Sequence, residues 1–178
     1  MIILALNLTA KEKLLMQDQK AQEELCVQKY QNYANQAQDP QLKQLFNSLA
    51  QKEKEHLNSI NQILSGQLPN LQQNQQANQQ NQAQQQQTQQ QQQRQQIHPI
   101  AQFQQNPMQG AMSNQNDKTL CSDTLATEKY VSGTYNTAIF ECVDTNMRQV
   151  LNHIQKEEQE HGEQIFNYMH NNGMYNLQ

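Results

Sequence analysis

The chain has 178 residues, a net charge of −4, 35% hydrophobic residues and no Trp. That length fits one domain of ordinary size. The acidic balance leaves no basic footprint for nucleic acid, and no stretch is long and apolar enough for membrane insertion. Cys26, Cys121 and Cys142 are odd in number and form no Cys-x-x-Cys, so they read as reduced thiols in or beside helices rather than as a disulfide framework.

Met1 to Leu8 is apolar but lacks a positive n-region, an adequate h-region and a cleavage site, so no signal peptide is expected. It reads as disordered, or as an over-extended start to the reading frame. Thr9-Ala10-Lys11-Glu12 has the spacing of a capping box, with Thr as N-cap and Glu at N3. From there to about Ala37 a helix is expected, with Leu15, Gln19, Glu23, Cys26, Val27, Tyr30, Ala34 and Ala37 on one stripe. Asp39-Pro40 ends it, because Pro cannot continue a helix and restrains the residue before it. A second helix is expected from about Pro40 to Leu64, with Leu42, Leu45, Phe46, Leu49, Glu53, His56, Ile60 and Leu64 facing inward; Gly66 and Pro69 stop it.

Residues 67–109 are more than half Gln, with Arg94 the only charge. Such a tract buries too little apolar surface to offset chain ordering, so disorder is expected. It reads as a passive linker or, given the self-association of Gln/Asn tracts, as an adhesive segment in an assembly. A third helix is expected from near Asp117 to about Val143, striped by Leu120, Leu125, Glu128, Val131, Tyr135, Ala138, Ile139 and Cys142. Gly133 inside it costs helix propensity and would suit a close helix approach. After Asp144-Thr145, a fourth helix runs from about Asn146 to His170. Its face is Met147, Val150, Leu151, Ile154, Glu158, His161, Ile165 and Tyr168, and Gly173 is its stop.

The chain repeats itself. Glu53-x-x-His56 and Glu158-x-x-His161 stand 105 positions apart. The same offset places Ala21 on Ala126, Glu23 on Glu128, Tyr30 on Tyr135, Asp39 on Asp144, Lys43 on Arg148 and Ile60 on Ile165. A duplicated helical hairpin is the expectation. Glu23, Glu53, Glu128 and Glu158 each interrupt an apolar stripe, and His56 and His161 share a face with the Glu three residues earlier. Each Glu of a hairpin lies about 15 residues from its turn, roughly 22 Å at 1.5 Å per residue, so the two arms match in height. Four buried carboxylates and two imidazoles call for cations. One Glu from each of two helices with Glu-x-x-His from each of the other two is the donor set of carboxylate-bridged two-metal bundles. Tyr30 and Tyr135 read as core residues with hydrogen-bonded hydroxyls, and His98, His153 and His170 are assigned nothing.

Asn136 to Glu141, the run RQVLNHIQKEEQEHGEQIFNYMHNNGMY from Arg148 to Tyr175, and within it Tyr168-Met169 and Gly173-Met174-Tyr175, resemble the C-terminal domain of spore coat protein F over about residues 117–176. Residues from Leu14 to Leu64 resemble companion segments of clostridial-type coat proteins and, more distantly, rubrerythrin-like bundles. The resemblance implies a ferritin-like fold, a place in the endospore coat after synthesis in the mother-cell cytoplasm, other coat proteins as partners, and self-association. Many members of the family carry Gln or Leu in place of Glu158 and His161, so metal binding rests on the residues of this chain. The paired Cys-x-x-Cys knuckles of full rubrerythrins are absent from the sequence.

The expected fold is all-α: a ferritin-like four-helix bundle of two duplicated hairpins, 9–66 and 117–176, joined by a disordered Gln-rich linker over 67–116. The expected function is structural, in the spore coat. The bundle could retain a metal site at Glu23, Glu53, His56, Glu128, Glu158 and His161 for two iron or manganese ions, or a vestigial one whose Glu and His merely hydrogen-bond, and no catalytic residue is assigned. An oxidoreductase acting on peroxide or ferrous iron is the alternative.

Overall fold

The helix boundaries follow from their caps. The computed structural model describes residues 6–70 and 107–175, with the side chains of the second stretch described from 115 onward. Four helices form: α1 over Ala10–Gln36, α2 over Pro40–Leu64, α3 over Pro107–Glu141 and α4 over Thr145–Asn171. The described residues contain no strand. At the start of α1 the capping box is complete, with Thr9 Oγ1 accepting from Glu12 N at 3.2 Å and the Glu12 carboxylate accepting from Thr9 N at 2.8 Å. Asp39 and Asp144 cap α2 and α4 by accepting from Gln41 N and Met147 N, each at 2.8 Å. Pro40 occupies the first turn of α2, where a missing N–H costs nothing.

α2 and α4 stop by the same device. Gly66 and Gly173 take φ of 80° and 68°, and the next amide bonds five residues back, Gln67 N to Gln62 O at 2.9 Å and Met174 N to Met169 O at 2.8 Å. Leu6, within the stretch expected to be disordered, is held at this end of the bundle, its amide donating to Gly66 O at 2.9 Å.

α3 begins at Pro107, ahead of the expected start near Asp117. Pro at the opening position is preorganised for a helix, and Met108, Gln109, Ala111 and Met112 sustain it across Gly110. The helix thus takes the end of the stretch read as linker. The Gln-rich tract itself falls mostly on residues 71–106, outside the described residues, as do residues 1–5.

α1 packs on α2 and α3, and α4 packs on α3 and α2. Ion pairs fix the sense of the α1–α3 contact: Lys11 near the start of α1 meets Glu141 at the end of α3 at 2.5 Å, and Lys29 meets Asp123 at 2.9 Å. The two are antiparallel, so α2 and α3 run parallel across a diagonal. The core is Met16, Cys26, Tyr30, Leu42, Phe46, Leu49, Ile60 and Ile63 with Val131, Tyr135, Met147, Leu151, Ile154 and Ile165, all essentially inaccessible to solvent. Three stripe positions shift by one residue. Met16, Ile63 and Met169 are buried where Leu15, Leu64 and Tyr168 were expected, the latter three being half-buried. Gly133 is exposed, and a Cβ there would meet nothing within 4 Å, so it marks no close helix approach. All three cysteines are buried and free.

Each hairpin's first helix anchors the turn of the other. The Glu12 carboxylate accepts from Val143 N at 2.8 Å. Asp117, 105 positions later, accepts from Gln38 N at 2.9 Å and Asp39 N at 3.0 Å. Both acids are buried, at 3% and 2% exposure. Burial pushes the Glu12 carboxyl up, but the Val143 amide and the Thr9 donors outweigh it and hold the group below its ordinary range. Replacing Glu12 with Ala leaves the Val143 amide without its acceptor and should lower the unfolding free energy by about 1–3 kcal/mol, measured by urea denaturation at pH 7. A depressed folded-state pKa stabilises above the unfolded value of 4.5 and is lost as pH falls through the folded value. The difference between parent and Glu12→Ala should therefore shrink below pH 4.5.

Candidate metal centre

Half-way along the bundle the stripes cease to be apolar. Glu23 on α1, Glu53 and His56 on α2, Glu128 on α3, and Glu158 and His161 on α4 are each no more than 2% exposed. All six residues expected to cluster do so, in two overlapping groups whose potential ligand atoms lie within 4.8 Å of one another. One group is Glu23, Glu53, His56 and Glu158; the other is Glu53, Glu128, Glu158 and His161. Glu53 and Glu158 belong to both groups.

The contacts recur under the 105-residue offset. His56 Nδ1 stands 2.9 Å from Glu158 Oε1, and His161 Nδ1 stands 3.0 Å from Glu53 Oε1. Within each Glu-x-x-His the separations are 3.5 and 3.6 Å, and to Glu23 and Glu128 they are 3.8 and 3.7 Å. The two imidazoles stack with centroids 5.4 Å apart. These approaches are close in distance but off the directions of hydrogen bonds. Eight buried atoms consequently have no hydrogen-bond partner: Nδ1 of both His, both oxygens of Glu53 and Glu158, and Oε2 of Glu23 and Glu128. Buried polar atoms are normally satisfied, because leaving one unpaired costs ~1–3 kcal/mol. Here all eight converge on one volume.

The remaining oxygens of the two outer acids are taken. The Tyr30 hydroxyl donates to Glu128 Oε1 and the Tyr135 hydroxyl to Glu23 Oε1, each reaching across to the opposite hairpin. The hydroxyl bonds expected of these tyrosines are present, and their acceptors are members of the cluster. Burial, together with the neighbouring carboxylates, pushes both phenols well above their ordinary range, so they remain donors.

The outer nitrogen of His56 also has a partner. Nε2 stands 3.1 Å from Glu157 Oε2, which His153 Nε2 approaches at 3.4 Å. A carboxylate on the far side of a ligating imidazole fixes its orientation and raises its basicity. Burial pushes the Glu157 carboxyl up, but His56 and its other cationic neighbours outweigh that and hold it low. Neither Glu157 nor His153 was singled out from the sequence. The repeat could not have found Glu157, since the matching position holds Lys52.

The ionisation pattern divides the six residues. Burial disfavours charge on all of them. Against it, the adjacent carboxylates push His56 and His161 well above the ordinary imidazole range. Glu53 and Glu158 are held low by the two imidazoles. Burial keeps Glu23 well above the carboxylate range and pushes Glu128 to about 8. These directions favour charge on the two imidazoles and the two inner acids, and the protonated form of the two outer acids.

Residues 116–178 match a protein family described as the Coat F domain. That segment is similar to the Coat F domain. It comprises most of α3, all of α4 and the turn between them, and it supplies Glu128, Glu158 and His161 to the cluster; the other hairpin supplies Glu23, Glu53 and His56. Comparison with curated proteins and with solved structures returned no match. Among the described residues no helix is long and apolar enough to cross a membrane.

Removing either phenol's hydroxyl strands a cluster carboxyl oxygen. Tyr30→Phe and Tyr135→Phe should each lower the unfolding free energy by about 1–3 kcal/mol, with the fold retained by circular dichroism.

Proposed function

We propose that the protein is a structural component of the endospore coat whose ferritin-like bundle of duplicated hairpins holds a two-cation centre. The coat role is supported by the Coat F domain, and it carries with it association with other coat proteins and with further copies of the chain. The observation that carries the metal reading is the set of eight unpartnered buried atoms on six residues. One cation would take Glu23 and His56, the other Glu128 and His161, with Glu53 and Glu158 shared between them. Carboxylate oxygens with imidazole nitrogens suit iron or manganese, and zinc as well.

Four carboxylates would balance two divalent cations, and neutral imidazoles would supply the nitrogen ligands. Iron or manganese there would supply electrons to a small oxidant such as peroxide, which makes an oxidoreductase the alternative to a scaffold; peroxide turnover by the loaded protein separates the two. The chain's own part is to hold the ligands in register, to keep water from them, and to position the outer acids through Tyr30 and Tyr135.

Metal analysis of untagged protein should give about two iron or manganese per chain, lost in Glu53→Gln and Glu158→Gln variants that still fold. Cation binding should release protons, from the imidazoles and the outer acids whose protonated forms burial and neighbours favour, so apparent affinity rises with pH. Calorimetry in buffers of different ionisation enthalpy measures that release. Folded protein that binds no metal would overturn the centre. For the coat role, a fluorescent fusion should accumulate at the forming spore and fractionate with the extracted coat; one that stays in the mother-cell cytoplasm would overturn it.

A further inference from the structure

The two hairpins present different residues around the cluster. On the α3–α4 side a cavity of about 530 Å³ opens beside it. The most buried residues of its lining are Leu125, Glu128 and Glu158, at 9%, 2% and 0% exposure. Its rim is formed by the exposed Lys129, Gln159 and Glu163. The cavity therefore ends against two of the six cluster residues, whose inward carboxylate oxygens are closed off from it, so that this wall is the thinnest cover over the cluster that the cavity offers.

Two small residues between rim and floor, Ser132 on α3 and Gly162 on α4, line this space. The positions 105 earlier hold the branched Val27 and Leu57, both half-buried on the α1–α2 side. Glycine in the interior of a helix costs up to about 1 kcal/mol relative to Ala, and nothing at position 162 requires it. Its backbone is not left-handed, and an added Cβ would meet Glu128 Cβ and Leu125 Cδ1 at an ordinary 3.7 Å. What Gly162 provides is room. A divalent cation with six waters occupies roughly 200 Å³ at about 30 Å³ per water, which the cavity accommodates.

We propose that the Gly162 cavity is the way in for divalent cations, so that the centre loads from the α3–α4 side through the passage between Ser132 and Gly162. This rests on the two-cation reading above. The aromatic pair Phe166 and Tyr175, edge to face at 5.1 Å, lines the same cavity and walls its apolar side.

The test uses the full chain with cobalt(II) as probe, following its visible absorption after rapid mixing. Gly162→Leu should still bind the parent's number of cobalt ions but load about tenfold more slowly, the effect of ~1.4 kcal/mol on a barrier. Gly162→Ala, whose methyl fits without a clash, should load at close to the parent rate. Ser132→Leu narrows the passage from α3 and should slow loading likewise, which keeps the test open if Gly162→Leu does not fold. Loading at the parent rate by folded Gly162→Leu or Ser132→Leu, with full final occupancy, would overturn the route and leave the centre standing. A parent chain that takes up no cobalt would overturn the centre itself, and the route with it.

Discussion

Burying four carboxyls and two imidazoles at the middle of a helical bundle is the constraint on which the rest of this structure depends. An isolated buried charge costs several kcal/mol, more than any one contact around it returns. The cluster meets this by internal cancellation. The shifts favour charge on His56 and His161 against Glu53 and Glu158, and the protonated form of Glu23 and Glu128. Cancellation removes net charge but leaves eight atoms without hydrogen bonds. Apolar side chains of similar size would pack there at lower cost, so the arrangement is better explained by something it binds than by stability.

Such a cluster only works if four helices hold their heights, and the polar contacts above and below it do that. Glu12 ties the start of α1 to the turn between α3 and α4, and Asp117 ties α3 to the turn between α1 and α2. The Tyr168 hydroxyl donates to Asp39 at 2.6 Å, adding α4 to the same turn. A helix slipped by one turn would move about 5.4 Å, which breaks these bonds and separates Glu53 from His161. Tyr30 and Tyr135 apply the same restraint nearer the centre, because each phenol spans from one hairpin to the acid of the other. Aliphatic packing alone tolerates small slips; directional bonds at three levels do not.

Much of this was legible in the sequence, and for definite reasons. Helical periodicity with a carboxylate where an aliphatic residue should stand marks a buried charge, and four such positions at matched heights place all six cluster residues. Thr9 marks the start of α1 because capping is a local reaction of a side chain with its own backbone, while Asp39 and Asp144, read from the sequence only as turn residues, cap α2 and α4 in the same way. The long-range partners were not legible. Glu12 looks complete as the fourth residue of a capping box, and nothing in its neighbourhood announces Val143. The outer contact of Glu157 with His56 likewise depends on how α2 meets α4. Where neighbouring residues are both able to face inward, as with Leu15 and Met16 or Tyr168 and Met169, the choice depends on helix rotation, which periodicity fixes only to within about one residue.

The symmetry of the cluster is not carried outward, and the departures have chemical consequences. The inner atoms repeat to within about 0.1 Å across the offset. Beyond them, His56 faces the anionic Glu157, while the residue matching Glu157 in the other hairpin is the cationic Lys52. An imidazole backed by a carboxylate is the stronger base and ligand, so the His56 half of the cluster is electronically richer than the His161 half. The cavity reaches the other half, through Glu128 and Glu158. On the two-cation reading, a cation entering by the cavity would meet the Glu128 side of the cluster first and would reach the His56 side by way of Glu53 and Glu158.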